Sequence, residues 1–179
     1  MMDRYKRHTP FHLYLDNAIY FVTVKTLNGI RFFESEKEKG ILKEQLKKCC
    51  DRYDVKLYAW VILSNHYHIL FQFKKNQTLA RLIGAINGGS SYYLNRKDNK
   101  KGRHIWWNYW DNCIRDEKTF YLRFNYIHHN PVKHRYAGNM EEYQFSSYWY
   151  YLKRYGYEYT KDIWERYPVI DFIDEQDDL

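Results

Sequence analysis

The chain is short of the residues that staple or span. Three cysteines in 179 residues (Cys49, Cys50 and Cys113) cannot form a disulfide framework, and the adjacent pair lacks the spacing of a zinc knuckle or a redox motif. The simplest expectation is a reducing compartment, hence a cytoplasmic protein. With only three prolines and eight glycines, no low-complexity segment and no internal repeat is seen. No apolar run approaches the roughly 20 residues that cross a bilayer, and the N-terminus does not read as a signal segment. A membrane is therefore not an expected partner.

Aromatic residues are abundant instead: 20 Tyr, 10 Phe and 6 Trp make up 20% of the chain. That much ring area can fill a core and still leave rings outside, where they suit interfaces or stack on bases. The formal net charge is +7, which makes a polyanionic partner plausible. Its distribution is more telling than its total. Residues 91–135 hold ten Lys or Arg against four acids, whereas 161–179 hold two bases and seven acids. The middle reads as the side that meets phosphates and the tail as a solvated acidic end.

The pattern predicts strands at 17–26, 54–64 and 67–75, with Ser64 and Asn65 turning the last two into a hairpin. A helix over 35–53 starts with Ser35 as cap and Glu38 three places on. A second helix runs from Leu79 to about 97, disturbed at Gly88 and Gly89. The very aromatic stretch 105–114 reads as a short strand or hairpin. Residues 116–130 form a strong helix, capped by Asp116 and striped with Phe120, Phe124 and Ile127. A short helical segment is expected around 146–155. The order strand, helix, strand, strand, helix, strand implies an α+β fold: a ferredoxin-like antiparallel sheet with helices on one face. The helix at 116–130 is additional to that pattern. The expected organisation is a basic N-terminal arm at 1–15, one domain over 16–150, and a C-terminal extension with an acidic tail over 151–179.

Inside the third strand, "SNHYHILF" sets His66 and His68 two places apart. In a strand such residues share a face, with Tyr67 opposite. They are either ordinary strand residues or two-thirds of a metal site that needs a further ligand from another element. The helix at 116–130 offers Tyr126 and Asn130, four apart and so neighbours on one side. His129 is turned away from Asn130 by about 100°, and Pro131 disfavours helical geometry at Asn130. Taken singly, Tyr126 could be one more packed ring and Asn130 a C-terminal cap.

"ILSNHYHILF" (62–71) resembles the histidine–hydrophobe–histidine motif of the single-tyrosine, IS200-like transposases. "WWNYWDNCIRDEKTFYLRFNYIHHNPVKHRYAGNMEEYQFSSY" (106–148) is similar to the REP-associated tyrosine transposases of that superfamily. Their run contains an Arg-Asp-Glu, a Tyr-Ile-His-x-Asn-Pro-Val and a closing Ser-Ser-Tyr. The resemblance covers about Tyr20 to Tyr148, the bulk of an IS200-like transposase domain at 16–150. It implies a ferredoxin-like fold with an additional C-terminal helix carrying the tyrosine. It also implies Mg²⁺ or Mn²⁺ held by His66, His68 and Asn130, with Tyr126 as nucleophile. The implied reaction cleaves single-stranded DNA beside a hairpin, leaving a 5′-phosphotyrosine and a free 3′-hydroxyl. The superfamily includes dimers that exchange the tyrosine helix, while the REP-associated branch includes monomers. His129 fills the variable position and is a candidate for a supporting role beside the nucleophile.

The basic stretch Arg96, Lys97, Lys100, Lys101 and Arg103 is expected to contact phosphates. Trp106, Trp107, Tyr109 and Trp110 are candidates to stack unpaired bases, Trp106 and Trp107 foremost, with at least half of these rings, especially Trp110 and one of the adjacent Trp pair, assigned to the core. The competing readings are a hairpin-DNA-binding protein without turnover, an RNA-directed metal nuclease, and a metal-free scaffold with two buried histidines.

Overall fold

A computed structural model describes residues 18–74 and 78–169. The expected arm at 1–15 and the acidic end of the tail lie outside the described residues. Four strands form one antiparallel sheet: β1 (Ile19–Thr26), β2 (Val55–Ile62), β3 (His66–Phe73) and β4 (Trp106–Ile114), in the order β2-β3-β1-β4. That is the ferredoxin-like arrangement. The aromatic stretch is a single edge strand rather than a hairpin.

Helices α1 (Glu36–Arg52) and α2 (Leu79–Lys97) cover one face of the sheet. Ser35 and Glu38 close a reciprocal capping box at the start of α1. Contrary to expectation, Gly88 and Gly89 do not disturb α2. The reason is packing: a Cβ at Gly89 would lie 2.3 Å from Gln45 Oε1. Glycine there lets α1 and α2 approach closely, and that contact offsets its poor helix propensity.

Helix α3 (Glu117–Lys133) lies against the opposite face, making a third layer. Asp116 accepts a hydrogen bond from Thr119 N at 2.7 Å and caps it. The helix continues through Pro131 to Lys133. Proline removes only the amide that would reach Ile127, and the last turn closes with His134 N donating to Asn130 O at 3.0 Å and Tyr136 N to Pro131 O at 2.8 Å. The registry of Tyr126 and Asn130 is therefore helical.

Beyond α3 the chain returns to the sheet. Phe145 O accepts from Ile62 N at 2.9 Å, and Ser147 N donates to Trp60 O at 2.9 Å. This short addition covers the outer edge of β2, which would otherwise present unpaired groups. Two further helices, α4 (Tyr148–Tyr155) and α5 (Tyr157–Arg166), meet at Gly156, whose φ of 84° suits glycine. Helix α4 runs across the boundary expected at 150. Asn125 Nδ2 of α3 donates to Ile163 O and Tyr167 O, at 3.0 and 2.8 Å, so α5 is tied to the domain. Sequence periodicity did not reveal α5, because its exposed tyrosines mask an apolar stripe reduced to Thr160 and Ile163.

Candidate active site

Strand β3 places His66 and His68 on the face that meets α3, while Tyr67 points to α2 and donates to Asn87 Oδ1 at 2.9 Å. The register sets Thr23 opposite His68 and Lys25 opposite His66. Both histidines are buried. Their rings are 5.0 Å apart between centroids, and the Tyr126 ring lies 5.4 Å from that of His68. Asn130, one helical turn on, sets Oδ1 3.1 Å from His66 Nε2. Strand and helix thus bring together the four residues that the sequence pattern singled out.

Neighbouring groups fix the imidazoles. Thr23 Oγ1 lies 2.9 Å from His68 Nδ1, so ligation by His68 falls to Nε2. The His68 ring stacks on Phe21 at 5.6 Å, and Arg123 sits over the other residue of that stack, 4.4 Å from the Phe21 centroid. His66 Nδ1 is 2.8 Å from Asn65 Oδ1. Both ring nitrogens of His66 therefore face amide oxygens. A neutral imidazole carries one N–H and can donate to only one of them. His66 Nε2 and Asn130 Oδ1, 3.1 Å apart, offer lone pairs that form a donor set fit for a divalent metal. Among the described residues no group of three or more His, Cys, Asp or Glu side chains could hold a metal ion, so the third protein ligand offered here is the asparagine.

The surroundings are cationic. Lys133 Nζ lies 5.5 Å from the Tyr126 centroid, and Lys25 and Arg123 flank the same face. Tyr126 itself is only 1% exposed. Its hydroxyl is therefore screened from bulk solvent.

One histidine lies elsewhere than the sequence suggested, and two more were not singled out. His129 is directed to α5, its ring 5.1 Å from Trp164, rather than toward the paired imidazoles. Burial and Lys133 both lower its pKa. His128, to which no role was given, is a core residue. Its Nε2 lies 2.7 Å from Ser147 Oγ, and Phe124, Tyr148 and Tyr151 surround it. Desolvation pushes its pKa down to about 3. Ser147 Oγ also accepts from Trp60 N at 2.9 Å, so His128 pins α3 to the strip that covers β2. A third, His134, puts its ring 5.0 Å from His66. It is four residues beyond Asn130, a spacing that would have disclosed it.

The expected phosphate contacts divide. Lys97 is paired with Glu38 at 2.5 Å and Arg103 with Asp98 at 2.6 Å, whereas Arg96, Lys100 and Lys101 are exposed. Leu27 N donates to Ile105 O and Thr26 N to Asn65 O, so this loop lies at the sheet end that carries His66. Trp106 is packed inward, stacked on Phe33 at 5.0 Å with Nε1 donating to Ser90 Oγ. That is a core role rather than a base-stacking one. Trp107 is 60% exposed.

The fold and site together define a class: a ferredoxin-like α+β protein whose sheet presents a histidine pair to a helix bearing tyrosine and asparagine. The chain belongs to the IS200-like transposase family, whose model matches residues 17–130; it is placed thereby among DNA-processing enzymes. A Haemophilus influenzae protein, provisionally named a REP-associated tyrosine transposase, is 26% identical over 157 residues, which is 82% of this chain and 86% of that protein. A solved structure of a REP-associated tyrosine transposase bound to a REP hairpin has a TM-score of 0.71 at 21% identity, covering 87% of this chain and 88% of the other. At that identity the likeness establishes the fold. Among the described residues no helix is long and apolar enough to cross a membrane.

Proposed function

We propose that the chain is a metal-dependent single-stranded DNA endonuclease and strand transferase that acts beside hairpin-forming repeat DNA through a 5′-phosphotyrosine. The observation that carries this reading is the convergence of Tyr126, His68, His66 and Asn130 within one chain. No exchange of α3 between partners is needed to assemble it. Mg²⁺ or Mn²⁺ held by His66, His68 and Asn130 would neutralise charge on the scissile phosphate and orient its phosphorus. Tyr126 Oη attacks that phosphorus, the new P–O bond forms, and the bond to the 3′-oxygen breaks. The 3′-oxygen leaves with the electron pair and takes a proton, while the phenol gives its proton to solvent. The covalent link conserves the bond for rejoining, whereas a hydrolase that activates water forms no such link and needs no tyrosine. Arg123, Lys25 and Lys133 favour the anionic strand at this face, and the exposed Lys100 and Lys101 extend that attraction along the sheet end.

A second reading, hairpin binding without turnover, is favoured by the burial of Tyr126. One experiment separates the two. A labelled hairpin oligonucleotide copied from palindromes flanking the gene is incubated with the protein and Mg²⁺ or Mn²⁺, then run on a denaturing gel. The strand-transfer reading expects a protein-linked product that disappears in Tyr126→Phe and with chelator. Cleavage without that product points to water as nucleophile, and tight binding without cleavage supports the second reading. Replacing deoxyribose by ribose at the cut tests the choice of DNA over RNA.

A further inference from the structure

On the far side of His66 from Tyr126 lies a polar cleft of about 250 Å³ lined by Arg31, Asn65, His134, Arg135 and Tyr136. Its residues come from three places: the segment after β1, the β2–β3 turn and the C-terminal end of α3. Ser64 Oγ accepts from Arg31 Nε at 3.0 Å and also meets the Tyr136 hydroxyl, while the Arg31 guanidinium lies 5.7 Å from the Tyr136 ring centroid. Recognition of a ligand by Arg31 then falls to its two terminal nitrogens, which form a flat fork suited to phosphate oxygens. Arg135 has φ of 59°, a left-handed conformation at a helix end where glycine or asparagine is the usual residue. An arginine tolerated there points to a use for its side chain. The carboxylate of Glu34 reaches Arg31 Nε at 3.6 Å, but both side chains are more than half exposed, and such a pair leaves the cleft cationic.

The order of groups along α3 gives the cleft a direction. Tyr126, Asn130 and His134 are spaced four residues apart, about 6 Å of helix each. They face His68, then His66, then the far side of His66. In an in-line displacement the leaving oxygen departs opposite the nucleophile. A strand attacked from the Tyr126 end therefore sends its 3′-oxygen toward His134. We propose that Arg31, Arg135 and His134, with Asn65, form a second phosphodiester pocket that holds the strand on the departing 3′-hydroxyl side of the cut. This direction rests on Tyr126 being the nucleophile; the pocket does not. Its role is to keep the released end beside the phosphotyrosine for rejoining, at high effective concentration.

The pocket is tested without catalysis. Tyr126→Phe protein in EDTA is titrated with octathymidylate or with inorganic phosphate. The side-chain Nε–Hε resonances of Arg31 and Arg135 are followed, assigned through Arg31→Lys and Arg135→Lys. Both should shift saturably with the oligonucleotide at concentrations where inorganic phosphate leaves them in place. Unmoved resonances, or equal shifts with inorganic phosphate, overturn a strand pocket. Its direction is tested on covalent complexes. Those of Arg31→Ala/Arg135→Ala should lose the 3′-hydroxyl strand about ten-fold faster than those of the wild type. Unchanged loss refutes the assigned side. If no covalent complex forms in either protein, the direction falls with the nucleophile, and the resonance shifts still decide the pocket.

Discussion

Acid should weaken this protein through His128, on the helix that carries Tyr126 and Asn130. The side chain is buried among Phe124, Tyr148 and Tyr151, beside Ser147 Oγ, and its pKa falls from 6.5 to about 3. Burial also raises the pKa of both tyrosines, so each faces the imidazole as a neutral phenol. Above pH 6.5 the imidazole is neutral in folded and unfolded chains alike and makes no difference. Below it the unfolded chain binds a proton that the folded chain refuses, so stability falls as pH drops, until the folded pKa is reached. The loss is about 1.4 kcal/mol per pH unit, hence about 2 kcal/mol at pH 5. Urea unfolding of the wild type and His128→Gln at pH 7 and pH 5 measures it, because other titrating groups cancel in the difference. Between the two pH values the wild type should lose about 2 kcal/mol more than the variant. An equal loss in both proteins refutes the assignment of His128 as a neutral core group.

Four further outcomes are expected. Ser147→Ala leaves His128 and the Trp60 amide without their shared oxygen and should cost about 1–3 kcal/mol in chemical denaturation. Trp107→Ala should weaken single-strand binding by about 1–3 kcal/mol in an anisotropy titration while leaving stability nearly unchanged. Trp106→Ala should do the reverse and lower stability by about 2–4 kcal/mol, because its ring is packed on Phe33 and Tyr67. Lys100→Ala/Lys101→Ala should flatten the salt dependence of binding by about 1–2 in log–log slope; an unchanged slope would remove that loop from the interface.

The amino-acid order determined much by itself. Alternation and turn chemistry defined the strands, Ser35–Glu38 and Asp116 began their helices, and period two in "HYH" placed both imidazoles on one face. These are local properties, governed by backbone geometry and by groups a few residues apart. Tertiary structure alone decided which rings are core. Trp106 and Trp107 are adjacent and alike, yet strand pleat and a register shift near Lys25 send one inward and the other to the surface. It also settled that the histidine joining the site's edge is His134 rather than His129, since α3 turns one toward β3 and the other toward α5. Residues distant in the chain, Ser147 against Trp60 and Arg31 against Tyr136, meet only because the sheet brings those segments together, a proximity that no short-range spacing encodes.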